Sequence, residues 1–137
     1  MTETNKVKQD YLWRYSAACK ESEQLEEEMF KWLGKANKLT ATLSDMPAGG
    51  DRLQMDDAIC KYLEIAEMLN KKISESMAVK IEIDNYIDSI PNSRLRNVLK
   101  LRYINGMKWE EICVKLDCSW RNIHRLHVYA LESLEVL

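Results

Sequence analysis

The sequence predicts an all-α protein: a long antiparallel helical hairpin of coiled-coil type, then a three-helix module ending in a helix-turn-helix. Three observations carry that reading. Only four Gly and two Pro occur in 137 residues, against a usual joint share of roughly 12%, so the chain lacks the punctuation that many short strands need. Apolar residues recur at steps of three and four, the helical spacing, rather than at steps of two. The charge balance also changes along the chain: residues 1–90 hold 12 Lys/Arg against 17 Asp/Glu, and residues 91–137 hold 8 against 5. The expected domains are therefore an acidic arm over 1–90 and a basic module over 91–137.

With 46% hydrophobic and 31% charged residues, the chain has enough apolar side chain to fold and is not read as disordered. No apolar run approaches the roughly 18 residues of a membrane span, and the polar stretch Met1–Asp10 lacks the apolar core of a signal peptide. The expectation is a cytoplasmic protein of a bacterial cell, without a membrane partner, whose four cysteines (Cys19, Cys60, Cys113, Cys118) stay reduced.

The first helix is expected over about 8–37. Its heptad seam is Tyr11, Tyr15, Ala18, Ser22, Leu25, Met29, Trp32, Ala36 and Leu39, with Leu12, Cys19, Phe30 and Leu33 widening the apolar stripe. Glu21, Glu23, Glu26, Glu27 and Glu28 fall between as a solvated face. Gly34, near the end of this helix, suggests close packing or early fraying. A loop follows over about 39–50, where Pro47, Gly49 and Gly50 interrupt the period. The second helix is read from a cap at Asp51 to about Ser89, with a stripe of Met55, Ile59, Tyr62, Ala66, Leu69, Ile73, Met77 and Ile81, whose last steps of four and four make a stutter. Two helices bury only a narrow seam, so the spare apolar residues imply a homodimer or higher homo-oligomer formed through the arm.

Pro91 closes the arm. A third helix is expected over about Ser93–Ile104, with Leu95, Val98, Leu99 and Leu101 or Arg102 inward, stopped by Asn105-Gly106. A short helix follows over Trp109–Leu116, then a tight turn at Asp117-Cys118, then a last helix capped by Ser119 and running to about Leu134. Short helix, tight turn and capped helix in that order make a helix-turn-helix, with 119–134 as recognition helix. Its outward side offers Trp120, Arg121, Asn122, His124, Arg125 and Val128. Arginine suits guanine edges and phosphates, asparagine suits adenine, and the amides behind Ser119 can meet a phosphate.

The segment Leu99-Lys-Leu-Arg-Tyr-Ile-Asn-Gly-Met-Lys-Trp-Glu-Glu-Ile-Cys-Val-Lys-Leu-Asp-Cys-Ser-Trp-Arg-Asn-Ile-His-Arg-Leu-His-Val-Tyr-Ala-Leu resembles region four of the sigma-70 family, which binds the −35 promoter element. With its helical arm and its Ser44 to Pro47 loop followed by Gly49 and Gly50, the whole chain resembles small phage and prophage late-gene transcriptional regulators of the ArpU and RinA type. The resemblance implies double-stranded DNA as partner, with Trp120, Arg121, Asn122, His124 and Arg125 at base-facing positions and Lys108 at a phosphate. It also implies an internal ion pair between Arg102 and Glu111. Trp120 departs from the common pattern, and is read either as stacking on a sugar or thymine methyl or as packing on the arm.

Two other functions fit the same segments. Small terminase subunits of phages join a helix-turn-helix to oligomerising helices, and a module of this type can bind bacterial RNA polymerase without reading bases. An enzyme is not expected, since no Gly-rich phosphate loop, nucleophile–base signature or HExxH occurs. No cofactor is expected either. Cys113, Cys118, His124 and His127 lack the spacing of zinc ligands. Cys113 is read as a buried thiol, His124 as outward and His127 as lying at the edge of the core.

Overall fold

The structure, a computed structural model, describes the backbone of residues 1–43 and 49–137 and the side chains of 1–39 and 53–137. The class is all-α, with no strand among the described residues. In chain order the helices are α1 (Glu3–Leu12), α2 (Arg14–Leu43), α3 (Gly49–Asp88), α4 (Ser93–Leu99), α5 (Trp109–Leu116) and α6 (Trp120–Ser133). Among the described residues no helix is long and apolar enough to cross a membrane.

The chain forms two compact units, Met1–Ala18 with Ser76–Leu137 and Cys19–Glu75. The division expected at Pro91 is thus corrected. Ile83, Ile87 and Ile90, which precede that proline, are fully buried in one core with Leu12, Leu99, Tyr103, Ala130, Leu131 and Leu134. Apolar burial, not the change of charge, decides what packs together.

The first unit begins earlier than its apolar pattern suggests. Thr2 caps α1, its Oγ1 accepting from the Asn5 amide at 3.2 Å. Lys8 is buried, and its ammonium donates to the carbonyls of Leu131 at 2.9 Å and Leu134 at 2.8 Å, adding to the Leu134 amide that already bonds the Leu131 carbonyl at the end of α6. At Trp13 the helix bends, although the Trp13 and Ala17 amides keep their bonds four residues back. The indole lies edge-on to Tyr103 at 4.6 Å, with the Arg102 guanidinium 5.0 Å above it. Tyr11 and Arg14 both bond Glu82 of α3.

After Pro91, the Asn92 side chain caps α4 by accepting from the Arg94 and Leu95 amides. Arg96 donates to the carbonyls of Ile90 and Pro91 and holds the elbow. The third helix does not stay α-helical to Ile104: Lys100–Ile104 widen into a π-turn, closed by the Asn105 amide on the Lys100 carbonyl at 2.9 Å. A second core joins Val98, Leu101, Ile112 and Ile123.

In the second unit α2 and α3 run antiparallel, with Lys72 bonded to Glu21 at 2.9 Å and Leu25 and Met68 lining one groove. All nine seam residues predicted along what are α1 and α2 are buried or partly buried, Tyr11 and Tyr15 against the core of the first unit and Ser22 to Leu39 in the second. Phe30 stays 54% exposed and does not join them. The helix runs on to Leu43 and α3 starts at Gly49, so the expected loop over 39–50 is shorter at both ends, and 44–48 lie outside the described residues. Leu39 to Leu43 contain no Gly or Pro, and two Thr cost a helix only a few tenths of a kcal/mol each. Asp51 falls inside the first turn of α3 rather than capping it.

The register of α3 is a further correction. One continuous ladder of protected positions runs along the helix, Met55, Ala58, Tyr62, Ile65, Leu69, Lys72, Ser76, Val79, Ile83 and Tyr86, continued by Ile90 just past its end. It is an alternation of three and four without a stutter, with Ala66, Lys80, Asp84 and Ile87 protected beside it. Ile59, Ile73, Met77 and Ile81, assigned inward from the sequence, are instead 39%, 41%, 59% and 60% exposed.

Candidate nucleic-acid interface

The helix-turn-helix is built by local chemistry. Lys108 precedes α5 in extended conformation, and Glu110 and Glu111 sit in its first turn, where the helix dipole favours acids. Asp117 then adopts φ 52° and ψ 52°. Its amide and that of Cys118 turn back to the carbonyls of Val114 and Cys113, a Schellman-type stop that here uses Asp where Gly is common. Ser119 is extended and its Oγ accepts from the Asn122 amide at 3.1 Å. The hydroxyl is thereby occupied as the cap of α6.

The inward side of α6 is Ile123, His127, Ala130 and Leu131, all buried. On the other side Trp120 is 54% exposed, Arg121 and Arg125 are exposed, and Asn122, His124 and Val128 are partly so. The Asn122 amide nitrogen points to the Cys118 sulfur at 3.9 Å. Trp120 meets the edge of His124 on its own helix, ring centres 4.5 Å apart. His124 also tilts against Trp109 at 5.2 Å. One imidazole therefore lies between two indoles and is less free than an outward histidine would be. Lys108 is exposed at the start of α5.

Two sequence expectations need correction. Arg102 does not pair with Glu111 among the described ion pairs. Its guanidinium stacks between Trp13 at 5.0 Å and Trp109 at 4.8 Å, and donates to the Met107 carbonyl at 3.0 Å. Glu111 is exposed, where a pair would gain little. His127 is not at the edge of the core but buried, its Nε2 2.7 Å from the Tyr103 hydroxyl. Burial first, then the nearby His124 and Arg102, lowers its pKa to about 4, while burial pushes Tyr103 up to about 12. Both groups are neutral at physiological pH.

The sequence reading also missed a basic groove of about 470 Å³ on α4, lined by Ser93, Arg94, Arg96, Asn97 and Lys100. The spacing Arg94, Asn97, Lys100 is the helical i, i+3 signal that would have found it. Arg96 is committed to the elbow carbonyls and Lys100 to Asp88 at 2.6 Å. Arg94 reaches the Cys118 sulfur at 3.0 Å, beside the first turn of α6. Cys113 is partly rather than fully buried. Among the described residues no three of His, Cys, Asp and Glu gather as a metal ion requires.

A family model described as a protein of unknown function, DUF1492, matches residues 38–135. No curated protein and no solved structure matches the chain. The matched span begins in α2 and runs through the helix-turn-helix, well over half of the sequence, and on that ground the chain belongs to the DUF1492 family.

Proposed function

We propose that the protein is a sequence-specific DNA-binding transcriptional regulator of phage or prophage genes, acting in the bacterial cytosol, with α6 as its recognition helix. The observation that carries this reading is the division of α6 into two sides. Ile123, His127, Ala130 and Leu131 fill the core, while Arg121 and Arg125 stand exposed beside Asn122 and Trp120. Such a side chain set, at the start of a capped helix behind a tight turn, has the donors that base edges and phosphates require. Lys108 and Arg94 flank it as phosphate contacts. The net positive charge of residues 91–137 is small, so one module alone is a weak electrostatic driver. Two copies joined through the helical arm raise the effective concentration of the second.

The test is a gel shift with fragments of the source genome at low salt, followed by selection of the bound sequence. Arg121→Ala is expected to cost on the order of 1–3 kcal/mol on the selected site and to relax its specificity. Lys108→Ala is expected to weaken all sequences alike and to reduce the salt slope by about 1. If no fragment shifts at protein concentrations well above micromolar, the reading fails.

A further inference from the structure

Within the unit Cys19–Glu75, α3 carries a second apolar strip next to the one it buries against α2. Ile59, Leu63, Ala66, Asn70 and Ile73 follow one another at steps of four and three. They are centred about 100° around the helix from the buried seam, which precedes them by one residue. Ile59 is 39%, Leu63 59% and Ile73 41% exposed. The strip covers about 21 Å at 1.5 Å per residue and contains no charged side chain.

We propose that this strip pairs with the same strip of a second copy of the chain, parallel and in register. Its spacing of 3.5 residues is matched continuously only by another helix. On this face a second copy can approach without setting like charges against each other. The unit holds twelve Asp/Glu against eight Lys/Arg, so two arms meeting on the Glu23, Glu26, Glu27 and Glu28 side of α2 would oppose carboxylates. On the uncharged strip they do not. Asn70 selects the register. It occupies an a-type position between Leu63 and Ile73, and an amide enclosed there needs a polar group opposite it. An in-register copy supplies a second amide at that level, as buried asparagines do in parallel two-stranded coils. Two heptads bury less than the roughly 1,600 Å² of a standard interface, so the dimer is a reversible one in the micromolar range. This inference stands independently of DNA binding.

Sedimentation equilibrium of the full chain across micromolar concentrations reads the proposal directly. The unaltered protein is expected to pass from monomer to dimer, and the Ile59→Glu, Leu63→Glu double variant to remain monomeric with its helical circular dichroism kept. A monomer at every concentration for the unaltered chain, or a dimer equally strong in the double variant, overturns the proposal. Should the double variant fail to fold, Ala66→Cys in a chain whose four native cysteines are serine decides instead. Mild oxidation is expected to link most of the protein as a covalent dimer, and absence of the link overturns the in-register pairing.

Discussion

At the scale of single residues, the polar groups inside the first unit determine how its stability depends on pH. His127 is buried against Tyr103 with its pKa lowered to about 4, below the roughly 6.5 of an unfolded histidine. The unfolded chain therefore binds the extra proton first. The contribution of the neutral imidazole is complete above about pH 6.5 and is lost progressively as the pH falls toward 4. At about 1.4 kcal/mol per unit, that loss is on the order of 2–3 kcal/mol. Urea unfolding at pH 7 and at pH 4.5 measures it. His127→Gln, which cannot titrate, is expected to flatten this part of the profile while being less stable at neutral pH. An unchanged pH dependence in the variant would show that His127 is not the group responsible. His127 falls on the inward spacing of the last helix, whereas the buried Lys8 is not legible as a core residue from the sequence. A polar side chain is enclosed only when a distant group satisfies it, and the Leu131 and Leu134 carbonyls lie 123 and 126 residues from Lys8.

At the scale of the element, two glycines make opposite predictions. Gly34 lies within α2, and a Cβ built on it meets nothing within 4 Å. Of the two readings of Gly34, close packing is not found, and the helix does not end early but continues to Leu43. Gly34→Ala is expected to stabilise the protein by roughly 0.5–1 kcal/mol through helix propensity alone. Gly106 has equal space but a φ of +67°, and Gly106→Ala is expected to destabilise by about 1–2 kcal/mol from backbone strain. Thermal melts of the two variants should move apart, and a shift in the same direction would refute the conformational argument. Element boundaries in the module are legible because their signals are local: Ser119, Asp117-Cys118 and Asn105-Gly106 stop or start helices by their own chemistry. The inward side of α3 is not. Two stripes offset by one residue both satisfy helical spacing, and the partner helix decides which is buried. The sequence reading chose Ile59 and Ile73 along with Met55, Tyr62 and Leu69; the structure protects the last three and buries Ala58 and Ile65 rather than Ile59 and Ile73. For the candidate interface, Arg121 and Arg125 are exposed as the sequence suggests, whereas the confinement of His124 between Trp109 and Trp120 depends on how α5 meets α6.

At the scale of the whole molecule, the helix-turn-helix is not an appendage that begins at Pro91. Leu12, Ile83, Ile87 and Ile90 are each at most 1% exposed in the same core as Leu99, Tyr103 and Leu131. A fragment of residues 91–137 therefore leaves the inner sides of α4 and α6 open to water. It is expected to melt without a cooperative transition, while the full chain melts cooperatively. Circular dichroism on both settles this, and a sharp transition in the fragment would contradict the shared core. In the DNA-binding reading the same dependence matters for genetics, because substitutions in α1 or late α3 would lower the amount of folded protein without touching any DNA contact.

The bond from Lys8 to the end of α6 bears on the order in which the chain folds. Its partners are separated by almost the whole sequence, so forming it means closing a long loop, a slow step compared with local helix pairing. Residues 19–75 pair antiparallel within themselves, which brings the ends of that stretch together and shortens the effective loop. Pulse-labelled hydrogen exchange should then find amides of Cys19–Glu75 protected first and those of α1 and α6 later, together, as one kinetic event.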